Sequence, residues 1–202
     1  MGRRIAEQQE SDLWNAGKRR TIQEAVIRLM FRDGVGAVTM ERVAQEVGIA
    51  KGTIYLHYHD KQELLDEVKE SSLAPLMAKL DEIFRGDAAP ERKLQQYALR
   101  YLTYFDEHRD LFRILLYERE ATRNRRGDRY RKLVGDVARA VEAGIRDGSF
   151  REVDARNVAA MFVESNFAIL NQRLLTDKPG PVEDDAELIA DVFLRGIRKR
   201  SR

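Results

Sequence analysis

Apolar residues recur at intervals of three and four along most of the chain, the period of a helix with one covered face, and no stretch alternates as a half-buried strand would. Ile22, Ala25, Val26, Leu29 and Met30 form one such stripe, which predicts a first helix from residue 12 or 18 to residue 32. Asp33-Gly34 stops it. Thr39 suits the N-cap of a short second helix, Met40–Val47, although Arg42 stands where a capping box would place glutamate. Gly48 ends that helix, and a third short helix is predicted over residues 50–58. Asp60 caps a fourth, which begins at Lys61 and carries Leu64, Leu65, Val68, Leu73, Leu76 and Leu80. Pro75 inside it predicts a kink or break. The stretch RGDAAP (85–90) reads as a linker, and further helices are predicted over 91–108, 110–121, 128–148, 154–176 and 183–200. The pattern is all-α, with about nine helices.

Composition narrows the function. Hydrophobic residues make up 43% of the 202, enough for a core, while 35% are charged. The absence of cysteine excludes disulfides, a thiol nucleophile and thiolate metal sites, and fits a reducing cytoplasm. No apolar run approaches the roughly 18 residues of a membrane span, and the first residues lack the apolar core of a secretory signal, so a cytoplasmic protein without membrane contact is expected. The net charge of +2 is modest, so nucleic-acid binding would need locally concentrated cations. Arg3 and Arg4 at one end, and Arg195, Arg198, Lys199, Arg200 and Arg202 at the other, are candidates, although solvated or frayed termini are the favoured reading of both.

The stretch VGIAKGTIYLHYHDK (47–61) is the most unusual in the chain. Two short helices joined by a glycine turn are the elements of a helix-turn-helix. Val43 and Val47 face inward, Ala44 is small where the second helix crosses, Gly48 accepts positive φ, Ile49 fills the corner and Ile54 anchors the second helix. The outward face then carries Lys51, Gly52, Thr53, Tyr55 and Leu56, followed by His57, with Lys61 opening the next helix. Such groups hold phosphates and read base edges. A metal site is not expected: His57 and His59 are two apart, which sets them on different sides of a helix, and the remaining histidine is His108. No P-loop, GxSxG or HExxH motif occurs, so neither an enzyme nor a cofactor is predicted.

On these residues the chain resembles the tetracycline-repressor (TetR) family of transcriptional regulators. The likeness covers residues 20–65, including VAQEVGIAKGTIYLHYHDKQELL. His59 departs from the family pattern, which usually has an aromatic or apolar residue there. The resemblance implies an N-terminal three-helix DNA-binding domain with an arm, at residues 1–62, and a C-terminal helical ligand-binding and dimerisation domain at 63–202. It implies a repressor that binds a palindromic operator as a homodimer and leaves it when a small molecule binds. By the same resemblance Thr39 would lie beside a phosphate, Lys51, Gly52, Thr53 and Tyr55 would belong to the recognition helix, and His57 and Lys61 would contact the DNA backbone. A helical dimeric adaptor that reads no DNA is the alternative.

For the C-terminal half the pattern offers candidates. Tyr97, Tyr101, Tyr104, Phe105, Phe112 and Tyr117 are concentrated in one aromatic-rich region, with Arg113 among them. Met161, Phe162 and the polar Asn166 lie in a helix that is apolar around most of its circumference. Apolar walls with few polar groups make small-molecule pockets, and the expected ligand is largely apolar, an acyl or aromatic compound. Val163, Phe167 and Leu170, with Ile189, Phe193 and Ile197 on the last helix, are the expected dimer seam.

Overall fold

The computed structural model describes residues 2–121 and 127–199, and within them the chain is all-α: nine helices, a 3-10 turn and no strand. Arg200 and Arg202 lie outside the described residues, as do the side chains of Arg3, Arg4 and Tyr117. The chain divides into two compact units, one ending at Leu73 and the other beginning at Ala74.

In the first unit α1 (Gly2–Asp33) starts well before the predicted position. A 3-10 turn, Val35–Ala37, leads to α2 (Met40–Val47), α3 (Lys51–Tyr55) and α4 (Lys61–Arg85). The stripe read from the sequence is the core: Ile22, Ala25, Val26 and Leu29 are buried with Val43, Ile54, Leu64 and Val68. Each of the valine, leucine and isoleucine side chains among them stabilises the fold by about 1.5–3 kcal/mol on transfer from water. Gly48 sits at φ 75°, ψ 33° and caps α2, and the next amide, Ile49 N–H, donates to Ala44 O at 3.0 Å. Arg42, lacking the capping-box carboxylate, serves another purpose, since its guanidinium reaches Asp33 and Ala37 O and ties α2 to the end of α1. Glu67 of α4 gathers three donors, Arg19 at 2.6 Å, Gln23 at 2.9 Å and the Tyr58 hydroxyl at 3.0 Å.

Two expectations are corrected here. The third helix is shorter than 50–58, because Leu56 to Tyr58 form the turn into Asp60, whose carboxylate accepts from Glu63 N–H at 2.9 Å. Pro75 does not break α4, which runs continuously from Lys61 to Arg85. The lost backbone bond is local, and Leu73, Leu76 and Leu80 on either side of the proline are all buried.

The second unit takes α4 from Ala74 onward and the remaining helices: α5 (Pro90–Glu107), α6 (Arg109–Ala121), α7 (Asp128–Arg146), α8 (Ala155–Leu174) and α9 (Val182–Ile197). α5 packs on α9 and α7, and α7 packs on α8. Pro90 opens α5 where a missing N–H costs nothing, and Asp154 caps α8 through Asn157 N–H at 2.9 Å. Arg173 is buried and bonded through each of its three side-chain nitrogens, to Asp106 at 3.0 Å, Asp185 at 2.5 Å and Gly180 O at 3.0 Å. This joins the end of α5 to the α8–α9 connection and the start of α9. After α7 the chain folds back so that Phe150 lies on Gly144; a Cβ there would stand 2.2 Å from the ring.

Candidate nucleic-acid interface and ligand-binding interior

α2 and α3 cross through the Gly48 turn, with Ala44 at the crossing and Ile54 fully buried beneath α3. That anchoring leaves the other side of α3 in solvent. Tyr55 is 47% exposed and Leu56 83%, although both are large and partly apolar. Lys51 pairs with Glu41 of α2 and lies 5.9 Å from the centre of the Tyr55 ring. The Glu41 carboxylate raises the Lys51 pKa, first by its hydrogen bond and then by its charge, so the lysine is a cation at neutral pH. Gly52 is exposed and a Cβ on it would meet no atom within 4 Å, so the fold does not require glycine there. Thr39 is spent locally, its hydroxyl accepting from Arg42 N–H at 3.2 Å while the residue stays exposed.

The rings of the run divide by burial. Tyr58 is buried, with Arg19 stacked 5.4 Å over it. Burial and then the nearby Glu67 charge push its pKa up, so it is a neutral donor to Glu67. His57 is half-buried. Burial, then the charges of Arg19 and Lys18, lower its pKa from 6.5, so it is neutral at physiological pH. His59 is exposed, and its backbone N–H donates to Glu63. Lys61 is half-buried at the first turn of α4. Among the described residues no group of three or more His, Asp or Glu could hold a metal ion, and no helix is long and apolar enough to cross a membrane.

In the second unit the aromatic candidates form a chain of ring contacts. Tyr97 stacks on Tyr101 at 5.5 Å and meets Phe162 at 5.7 Å. Tyr101 meets Phe105 at 5.0 Å, Phe105 meets Phe112 at 5.4 Å and Phe112 meets Phe167 at 4.9 Å. Tyr104 branches from this row onto His108, 4.3 Å away. Two polar atoms inside it lack hydrogen-bond partners, the Tyr97 hydroxyl and Asn166 Oδ1, while Asn166 Nδ2 donates to Phe162 O at 2.7 Å. Burial, then the neighbouring Tyr101, Asp136, Glu164 and Tyr130, hold the Tyr97 phenol well above its usual pKa. A buried polar atom without a partner is costly, and such atoms commonly mark a site completed by a missing group. Arg113 points to solvent and bonds Asp110 at 3.2 Å.

The six seam candidates split by exposure. Val163, Leu170, Ile189 and Ile197 are buried within the unit itself. Phe167 and Phe193 are half-buried. Met161 on α8, at 63% exposed, faces solvent, as do Leu188 and Val192 on α9, at 54% and 58%. Leu188 and Val192 belong to the predicted last helix, but periodicity alone does not say which of its apolar positions is covered by the chain's own core.

Two short helices crossing at a glycine, one buried below and bare above, define a helix-turn-helix protein carrying a separate helical unit. Residues 22–68 match the model of the bacterial regulatory proteins of the tetR family. The uncharacterized HTH-type transcriptional regulator YerO of Bacillus subtilis (strain 168) is 32% identical over 103 residues, covering 50% of this chain and 36% of that protein. The HTH-type transcriptional regulator SAR2658 of Staphylococcus aureus (strain MRSA252) is 31% identical over 98 residues, covering 48% and 52%. The matches thus span about half or less of these curated relatives. Among solved structures, the ketosteroid transcriptional regulator KstR2 of Mycobacterium tuberculosis aligns over 91% of this chain and 96% of its own, with TM-score 0.69 and 22% identity. FadR of Bacillus subtilis, solved with stearoyl-CoA, aligns over 89% and 99%, with TM-score 0.74 and 16% identity. At these identities the likeness is one of fold, and it extends across both units.

Proposed function

We propose that the protein is a transcriptional repressor that binds a palindromic DNA operator as a homodimer and is released by a small, largely apolar ligand. The observation that carries this reading is the outer face of α3, where Lys51, Tyr55 and Leu56 stand exposed around a glycine that the fold does not need. Lys51 and Lys61 supply phosphate contacts, Tyr55 and Thr53 contact the DNA edge or backbone, Gly52 admits the phosphate chain closely, and Thr39 sets the start of α2 against it. His57 donates as a neutral imidazole. Two copies related by a two-fold axis would set these helices in successive major grooves, about 34 Å apart.

The dimer seam we infer is centred on Met161, Leu188 and Val192, whose exposure leaves them without cover in the single chain. Phe167 and Phe193 flank them, while Val163, Leu170, Ile189 and Ile197 support the surface from beneath. The ligand would lie against the aromatic row of Tyr97, Tyr101, Phe105, Phe112 and Phe162. The Tyr97 hydroxyl and Asn166 Oδ1 would be its polar partners; Tyr104 is at the edge of that row. Arg113 and Met161, which face solvent, are left out of the lining. Two neighbours in fold are named for a ketosteroid regulator and for a stearoyl-CoA complex, and a steroid skeleton or an acyl chain would suit such an aromatic row. A ligand that favours one arrangement of the dimer shifts the population away from DNA, and DNA opposes the ligand equally.

Selection from random-sequence duplex DNA tests the reading, with Tyr55→Ala alongside. An enriched palindrome that the variant binds about tenfold or more weakly is the expected result, since a lost base or phosphate contact is worth about 1–3 kcal/mol. No enrichment at low salt, or enrichment unchanged by the substitution, would leave the helical adaptor as the better description.

A further inference from the structure

The second unit contains an open cleft of about 760 Å³ between the last turns of α4, the α4–α5 connection and the C-terminal half of α7. It lies apart from the outer face of α8 and α9. Its floor is apolar, made by Phe84, Ala88, Ala140 and Ala143. Its rim is cationic: Arg85, Lys93, Lys132, Arg139 and Arg146 line it against three carboxylates, Asp81, Asp136 and Asp147.

Those carboxylates are already engaged. Asp136, 4% exposed, accepts from Lys132 at 2.7 Å and from Arg139. Asp81 accepts from Lys132 and from Arg85 at 3.5 Å. Asp147 accepts from Ser149 N–H at 2.9 Å. The cations keep donors in reserve. Lys93 has one hydrogen bond, to Phe84 O at 3.1 Å, and meets no carboxylate at ion-pair distance among the described residues. Arg146 stands 4.0 Å from Glu142, and its side chain is 70% exposed. Arg139 uses one arm on Asp136 and is also 70% exposed. A guanidinium has five N–H donors and an ammonium three, so the rim offers unsatisfied cationic donors above an apolar floor. Phe84 connects that floor to the interior, its ring 5.9 Å from the ring of Tyr97.

We propose that this cleft receives the anionic head, a carboxylate or a phosphate, of an amphiphilic ligand. Lys93, Arg139 and Arg146 hold the head, and the apolar chain lies on Phe84 and the alanines toward the aromatic row. The proposal rests on reading the second unit as ligand-binding and adds the charge class of the ligand. A charged head explains why a unit with an aromatic interior carries five cations at one opening, and it predicts that neutral compounds of equal chain length bind poorly.

Isothermal calorimetry on the whole chain tests it with four probes: decanoate, decyl phosphate, 1-decanol and inorganic phosphate. The two charged amphiphiles should bind, with decanol and inorganic phosphate each about tenfold or more weaker, because charge-assisted hydrogen bonds are the strong ones. The stronger of decanoate and decyl phosphate identifies the head group. The double variant Lys93→Gln, Arg146→Gln should weaken both amphiphiles about tenfold and leave decanol unchanged. The charge-conserving pair Lys93→Arg, Arg146→Lys should retain most of the binding, which separates loss of charge from loss of fold. Decanol binding as tightly as decanoate, inorganic phosphate as tightly as decyl phosphate, or no effect of the glutamine pair would each overturn the proposal. Operator binding measured on the same samples keeps the two readings apart. Charge-dependent binding that leaves operator occupancy unchanged upholds the cleft and removes the inducer role. Operator release by decanol with no charge dependence removes the cleft alone.

Discussion

The two units use their polar groups in opposite ways. The first keeps its ionic contacts at the surface: Lys51 with Glu41, Arg42 with Asp33, and Arg19 with a Glu67 whose side chain is 27% exposed. The second buries the cation itself, with Arg173 only 6% exposed and held by two carboxylates and a carbonyl, and among the described residues leaves two interior polar atoms unpaired. Surface pairs in water are worth little, about 0–1 kcal/mol, so the charges of the first unit are available for exchange with a partner. A buried cation held by partners on three sides is part of the fold. Substitution should therefore separate function from stability: changes on α3 should alter binding with the fold intact, and changes at Arg173 should destabilise the second unit.

The sharpest attempt to break this contrast is Arg173→Ala. It leaves Asp106 and Asp185 without their shared cation and Gly180 O without its donor, and should cost about 3 kcal/mol, at the lower end for a broken buried pair because both carboxylates are partly exposed. Urea unfolding followed by circular dichroism reads it. A midpoint within experimental error of the wild type would mean that the cluster rearranges and that the second unit does not depend on it.

How much of this was legible beforehand follows the same division. The helix-turn-helix is a local packing problem: Ala44, Gly48 and Ile54 each stand where backbone geometry admits few residues, so the sequence pattern and the structure agree closely. The second unit depends on long-range partners. Nothing in the spacing of Arg173 announces Asp106, 67 positions away, and the pattern shows Gly144 only as a glycine within a helix, whereas the structure sets Phe150 on its backbone. A hint for the latter was available, since glycine inside a helix is unfavourable and an aromatic residue follows soon after. The sequence pattern groups the apolar residues around α8 and α9 without dividing them. Which of them face the core depends on the positions of α5 and α7, and periodicity does not carry that information. Pro75 went the other way: the local rule predicted a kink or break, and the helix continues.

Gly52→Ala refines the contrast with a smaller effect of opposite sign on the two properties. Alanine favours a helix over glycine by about 1 kcal/mol, and the added methyl meets nothing within 4 Å. Stability should stay level or rise by up to about 1 kcal/mol. Operator affinity should fall several-fold, because the methyl stands where a phosphate would approach the backbone. Thermal denaturation and a filter-binding titration on the same preparation decide it. Unchanged operator affinity would remove Gly52 from the interface and leave Lys51 and Tyr55 to carry it.

The smallest effect is expected at His57, where the two properties should respond to pH in opposite directions. Burial, then Arg19 and Lys18, lower its pKa from 6.5, while Glu67 opposes weakly. The unfolded chain therefore takes up the proton first. The contribution of neutral His57 to stability is fully present above 6.5 and is lost as pH falls from there through the lower folded value. A DNA phosphate beside the ring would raise its pKa again, so binding would take up a proton and operator affinity should improve over the same window. His57→Gln should flatten both slopes. Measuring unfolding and operator binding between about pH 5.5 and 7.5 tests the pair together. A stability slope that the substitution removes, with no matching slope in DNA affinity, would place His57 in the packing of the first unit and away from the DNA.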